Sequence, residues 1–164
     1  MDIACGSLRA GIHFIPYLNE GNYLGIDKEL SLIELGLEHE LGKEMEIAKA
    51  PEFVVSNSFE FDKFSKVPDF AIAQSLFTHL PPPYIHDCLD KLSQHFQPGG
   101  TFFATFFVIK RKIRNPKIPH DHQVFSYTKA EIKDFGRQNG WNVEYIGDWS
   151  HPRNQQMVKY KLRG

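Results

Sequence analysis

Apolar positions along the chain switch repeatedly between continuous runs and three- or four-residue spacing, and each switch marks a new element. Residues 1–5 are a short apolar run and read as a strand. Ser7 is placed to cap a helix carrying Leu8, Ile12, Ile15 and Leu18 on one side, with Pro16 weakening its end. Asn19 to Asn22 make a turn before a second strand, 23–26, which ends at Asp27. Over 28–42, Leu30, Ile33, Leu37 and Leu41 recur among glutamates, as in a helix lying on a sheet. A third strand follows at 53–56, then a loop over 57–61. The polar stretch 62–67 reads as loop or one short helix.

The second half repeats the alternation. FAIAQS, residues 70–75, is continuous and mostly apolar, the pattern of a strand buried on both faces. Its exit, LFTHLPPPY, puts Thr78 and His79 just past the strand tip. Pro82 or Pro83 begins a helix with Ile85, Leu89, Leu92 and Phe96 on one side, which stops at Pro98-Gly99-Gly100. TFFATFFVI, 101–109, is the most hydrophobic strand and belongs near the middle of a sheet. The basic, proline-containing stretch 110–122 has no period. Thr128 and Glu131 then form a capping box for a helix running to Gln138 and closed by Asn139-Gly140. In the last part, Gln156, Val158, Tyr160 and Leu162 alternate with Met157, Lys159 and Lys161 in the second arm of a hairpin, so the final strand is expected to be antiparallel. The predicted class is α/β: a Rossmann-like three-layer sandwich with a mostly parallel central sheet of about seven strands and a C-terminal antiparallel hairpin. One domain over 1–164 is expected.

Composition narrows the partners. The 164 residues are 41% hydrophobic with fourteen phenylalanines, enough for one continuous aromatic-rich core. A formal net charge of −1 argues against a nucleic acid or an anionic membrane as main partner, since either needs a broad basic surface. Cys5 and Cys88 have no metal or redox spacing, and nothing resembles a secretory signal; a reducing cytoplasm and no disulfide follow. TFFATFFVI falls short of the about 20 residues a membrane helix needs, so a soluble protein is expected.

The first turn, DIACGSLRAG, lacks the G-x-G-x-x-G of nicotinamide-binding domains, which counts against a dehydrogenase. DIACGS ends its strand with an acid and small residues, GID ends the next with Asp27, and FAIAQSLFTHL leads through a helix to QPGG and the closing hairpin. In these features, over nearly its whole length, the chain resembles the class I S-adenosylmethionine (SAM)-dependent methyltransferases. It departs from them at Ala4 and Leu8, where glycines are common; alanine costs little there only if φ is negative. The resemblance implies that Asp2, Cys5, Gly6 and Ser7 line the methionine moiety of SAM. It also implies that Asp27 accepts from the ribose hydroxyls, that Asn57, Ser58 and Phe59 lie beside the adenine, and that Gln74 and Ser75 face the methionine end. Two hydroxyl donors suit one carboxylate, and Gly6 lets backbone approach a ligand. Read alone, Asp27 equally suits a helix cap, Asp2 a turn acceptor, and Phe59 and Phe77 the core.

Methyl transfer from a sulfonium asks the protein mainly to align a nucleophile and exclude water. If the acceptor must lose a proton, His79 is the candidate base; the competing reading is a packing or hydrogen-bonding histidine. His120 and His122, with Asp121 between them, lack a third ligand at zinc spacing, so no metal is expected and the segment reads as a lid. KRKIRNPK carries five cations in eight residues, which suits an anionic acceptor or, more simply, a solvated loop. His151, Arg153 and Gln155 stand in the hairpin loop, facing an acceptor, a partner subunit or solvent. The expected partner is a small-molecule acceptor, with S-adenosylhomocysteine (SAH) as the second product. A module that binds SAM or SAH without turnover is the alternative, and a purely structural Rossmann-like domain a third reading. Relatives carry a helix ahead of the acid matching Asp2 that is missing from this sequence; the apolar surface it leaves uncovered predicts a homodimer.

Overall fold

The computed structural model describes residues 1–120 and 122–164. The chain divides into two compact units, Met1–Pro68 and Asp69–Gly164.

The first unit runs β1 (Asp2–Ile3), α1 (Gly11–Tyr17), β2 (Leu24–Asp27), α2 (Leu30–Leu35), α3 (Lys43–Lys49) and β3 (Glu52–Val55). Its strands are parallel in the order β3-β2-β1, with Ile3 opposite Ile26 and Asp27 opposite Val55. The three carboxyl ends therefore share one edge. Cys5, Leu8, Ile15, Tyr23 and Ile33 form the buried cluster beneath that edge, with Ile12, Leu37, Leu41 and Phe53 packed against it.

Three local details differ from the sequence reading. Ser7 does not cap α1, which begins at Gly11 behind Ala10 with no side-chain cap. The helix expected over 28–42 is α2 continued by a π-helical turn, Gly36–Leu41. Gly36 lies so close to the first turn that a Cβ would sit 2.6 Å from the Ser7 carbonyl carbon. The third detail is α3, whose residues bury no side chain fully and so lack the apolar stripe by which a helix is read.

The second unit comprises β4 (Phe70–Ala73), α4 (Pro82–His95), β5 (Thr101–Ile109), β6 (Ser126–Thr128), α5 (Lys129–Gln138), β7 (Trp141–Asp148) and β8 (Gln156–Leu162). Its order is β4-β5-β8-β7; β4 runs parallel to β5, and β8 is antiparallel to both β5 and β7. TFFATFFVI is thus flanked on both sides, as its hydrophobicity predicts. Among the described residues the strands number eight, the additional one being β6, which pairs with Phe107–Ile109. Three residues are too few to show a period, and the sequence reads them as the approach to α5. The capping box is present: Thr128 Oγ1 accepts from the Glu131 N–H at 3.3 Å and Glu131 accepts from the Thr128 N–H at 3.0 Å. Phe77 is core, packed on Phe102 and Phe106 at centroid distances of 5.9 and 5.3 Å. Both cysteines are free and buried. Among the described residues no helix is long and apolar enough to cross a membrane.

Candidate active site

In the first unit the site is built from the three strand ends. The β1 turn places Ala4 (φ 61°), Gly6 (φ 52°) and Leu8 (φ 62°) in the left-handed region. The two departures from the glycine pattern therefore sit where φ is positive, at about 1 kcal/mol each. The condition under which alanine costs little, a negative φ, is not met at Ala4. The Cys5 N–H donates to the Ile26 carbonyl at 3.1 Å, and the buried Leu8 side chain anchors the far end of the turn. A Cβ on Gly6 would meet nothing within 4 Å, so its outer face is open.

Asp27, buried at the tip of β2, holds this turn. Its Oδ2 accepts from the Gly6 N–H at 2.8 Å and its Oδ1 from the Glu29 N–H at 3.0 Å. Asp27 is not the helix cap: Glu29 precedes α2, with no side-chain cap. Each oxygen spends one lone pair on a backbone donor and keeps another for a ligand.

Asp2 and Cys5 face inward. Asp2 is 3% exposed and accepts from the Tyr23 hydroxyl at 2.8 Å. Burial pushes its carboxyl above the usual range, outweighing the Tyr23 hydrogen bond that pulls it down. Burial likewise pushes the Cys5 thiol far up, so it packs as a small apolar group. Ser7 is half-buried. Beyond β3, the Ser56 N–H donates to the Asp27 carbonyl at 2.9 Å, which ties the next loop to β2. There Asn57 and Ser58 are exposed and Phe59 is half-buried, at φ 55°.

In the second unit the exit of β4 is held by side chains. Ser75 is left-handed (φ 66°), and Gln74 beside it is half-buried. The Ser75 N–H donates to Thr105 Oγ1 at 2.7 Å, and its carbonyl accepts from Thr78 Oγ1 at 2.6 Å. Thr105 Oγ1 donates to Gln155 Oε1 at 2.6 Å, and Gln155 Nε2 donates to Ser75 Oγ at 2.9 Å. Thr105 and Gln155 are fully buried.

His79 lies four residues on. Its Nδ1 is 3.2 Å from the His120 carbonyl oxygen, and the His120 N–H returns a bond to the His79 carbonyl at 3.1 Å. The segment read as a lid is thereby tied to the β4 exit loop, where Phe125 also bonds to Thr78 at 3.0 Å. His120 Nδ1 accepts from the N–H groups of His122 and Gln123 at 3.0 and 3.2 Å, so that nitrogen serves the loop. Asp121 lies outside the described residues. Among the described residues there is no group of three or more metal-binding side chains. The cations of KRKIRNPK are exposed, with Lys112 3.1 Å from Glu131.

In the hairpin loop His151 is buried and stacks on Trp149 at 5.1 Å. Its Nδ1 accepts from the Arg153 N–H at 3.2 Å; burial first, then the Arg153 charge, holds its pKa below the ordinary value. The sequence reading missed Tyr23 and Thr105 and left Gln155 undecided. Thr105 does carry a signal, as a hydroxyl in the middle of an otherwise apolar strand that must find a partner once buried.

A family model described as a methyltransferase domain matches residues 1–102. The fold is similar to that of magnesium protoporphyrin IX methyltransferase from Synechocystis, solved with bound SAM, at 12% identity over 98% of this chain and 68% of that one, with a TM-score of 0.71. A SAM-dependent methyltransferase from Methanosarcina mazei is 15% identical over 99% of this chain and 91% of its own, with a TM-score of 0.71. An amino pentose methyltransferase from Micromonospora echinaspora, also solved with SAM, is 12% identical over 98% of this chain and 81% of its own, with a TM-score of 0.73. These likenesses establish the α/β Rossmann-like fold with its antiparallel C-terminal strands. Since the family model spans more than half of the residues, the chain belongs to the methyltransferase domain family.

Proposed function

We propose that the protein transfers the methyl group of SAM to a small-molecule acceptor by in-line displacement, with SAH as the second product. The observation that carries this reading is Asp27: a buried carboxylate, fixed by two backbone N–H groups, keeps lone pairs for two hydroxyl donors beside an open glycine. That donor set fits a ribose edge and an adjoining backbone-lined ligand. When bound, SAM supplies a sulfonium methyl group that a nucleophile displaces in line.

Asp27 is assigned the ribose hydroxyls. Gly6 and Ser7 line the methionine moiety, with Asp2 and Cys5 buried behind them as the support of the turn. Asn57 and Ser58 serve the adenine edge and Phe59 its face; Gln74 and Ser75 serve the methionine end. His79 is assigned the acceptor's proton. A carbonyl oxygen only accepts, so His79 Nδ1, facing the His120 carbonyl, carries the ring hydrogen of the neutral form. Nε2 is then the basic nitrogen, the tautomer a general base requires.

An acceptor bearing an anionic group is favoured by the exposed cations of residues 110–117 and by Arg153, whose guanidinium lies 5.7 Å from the Phe107 ring centre. The two free buried thiols suit a reducing, cytoplasmic setting. A homodimer is proposed on the exposed side chains of Phe14, Tyr17, Leu30, Leu32 and Leu35, and light scattering that finds only monomer at high concentration would refute it.

Isothermal titration with SAM and SAH tests the main reading. Both ligands are expected to bind, Asp27→Ala to weaken binding by about tenfold or more, and His79→Ala to leave it nearly unchanged. Folded protein giving no heat with either ligand overturns the reading.

A further inference from the structure

Gln155 is fully buried, yet it comes from the hairpin loop, and both ends of its amide are engaged, Oε1 by Thr105 on β5 and Nε2 by Ser75 just past β4. The direction of each bond follows from proton counting. Thr105 Oγ1 accepts the Ser75 N–H at 2.7 Å and gives its own hydrogen to Gln155 Oε1 at 2.6 Å. That leaves Gln155 Nε2 to donate to Ser75 Oγ at 2.9 Å. Ser75 Oγ is thus an acceptor within the cluster, and its hydrogen has one internal alternative, a longer 3.1 Å approach to a Gln155 oxygen already engaged by Thr105. The half-buried Ser75 therefore holds a hydroxyl hydrogen that a ligand can draw outward.

We infer that Gln155 is a positioning residue that turns the Ser75 hydroxyl into a hydrogen-bond donor for the carboxylate of the ligand's methionine moiety. This rests on the reading that Ser75 serves that end of SAM. A carboxylate is the polar group of the moiety that takes the hydroxyl hydrogen; the ammonium, which only donates, would instead use the second Ser75 lone pair and send that hydrogen inward to Gln155 Oε1, an arrangement that Gln155→Glu would leave intact. Thr105 sets the orientation of the amide and is the second positioning residue. The bonds join residues 30, 50 and 80 positions apart, so the C-terminal hairpin sets how the β4 tip recognises ligand.

Two probes separate this role from a general structural one: SAH, which has the carboxylate, and 5′-methylthioadenosine, which lacks the amino-acid portion. Titrations use the full chain, with Gln155→Glu and Ser75→Ala read as ratios to wild type at the same pH, which cancels titrations common to all three proteins, that of His151 included. An ionised glutamate in place of Gln155 cannot donate, so Ser75 must spend its hydrogen inward; SAH affinity is expected to fall about tenfold at pH near 8.5 and to recover near pH 5.5, where a buried carboxyl is protonated and donates again. Ser75→Ala should lose about as much at both pH values. Neither variant should change 5′-methylthioadenosine binding more than about twofold.

Unchanged SAH affinity in Ser75→Ala overturns the inference, even if Gln155→Glu fails to fold. So does equal weakening of both ligands, or a Gln155→Glu loss that does not recover at low pH. Wild-type protein that binds both 5′-methylthioadenosine and SAH, with SAH affinity unmoved by Ser75→Ala, refutes this inference alone. Binding of neither refutes the SAM reading as well.

Discussion

The turn after β1 and the turn after β4 pose the same structural problem and meet it differently. Each follows a parallel strand, and each holds residues other than glycine in the left-handed region: Ala4 and Leu8 in one, Ser75 in the other. The first is held from the adjacent strand, by the Asp27 carboxylate on the Gly6 N–H. The second is held by Thr105 on β5 and Gln155 ahead of β8, whose hydroxyl and amide take up Ser75 N–H and Oγ. A carboxylate with four acceptor positions can hold a turn and still offer lone pairs to ligand, whereas the ring of hydroxyls and amide leaves a hydroxyl hydrogen at Ser75, its half-buried member. The first arrangement suits hydroxyl donors and the second an acceptor.

The largest break in this comparison is expected at Thr105→Val. It strips the Ser75 N–H of its acceptor and Gln155 Oε1 of its shorter bond at two fully buried side chains, so urea unfolding should show a loss of about 3 kcal/mol. Asp27→Ala removes the acceptor for two N–H groups nearer to water; a loss of about 1.5 kcal/mol is expected in the same measurement. If Asp27→Ala proves the costlier variant, the side-chain ring is not the tighter of the two devices.

Asp2→Asn sharpens the comparison by pH. Burial raises the Asp2 carboxyl, so the folded chain holds that proton more tightly than the unfolded one. Its contribution is fully present below the unfolded value of about 3.9 and is lost as pH rises through the folded value. Asparagine does not titrate and still accepts from Tyr23 through its side-chain oxygen. The melting temperature of Asp2→Asn relative to wild type should therefore climb as pH rises above about 4; a constant gap would show that Asp2 titrates alike in both states.

The smallest effect is expected at Ala4→Gly. Relief of left-handed strain exceeds the added unfolded-state entropy by about 0.5 kcal/mol, so a slight gain in stability is predicted. A loss in its place would mean that the Ala4 methyl packs more favourably than its backbone is strained.

Much of the fold was legible in the residues. TFFATFFVI is β5 with the bounds its hydrophobicity sets, and Thr128 with Glu131 starts α5 through the capping box that their spacing predicts. By contrast, α3 buries no side chain fully and β6 is three residues long, so neither leaves a periodic trace. Within the candidate site, Asp27 and Gly6 were legible as an acid at a strand tip and a small residue in a turn. Their bond to each other was not, because it depends on β1 and β2 lying side by side.

By itself, the sequence determined the alternation of strands and helices, the acids at two strand ends and the antiparallel closing hairpin. These follow from side-chain periodicity, caps and turn residues acting over a few positions. Only the tertiary structure decided that Ala4 and Leu8 take positive φ, that Asp2 turns inward to Tyr23, and that Gln155 closes a ring with Ser75 and Thr105. The physical reason is that a buried polar group is satisfied by whichever strand lies beside it, and chain order alone leaves that neighbour open.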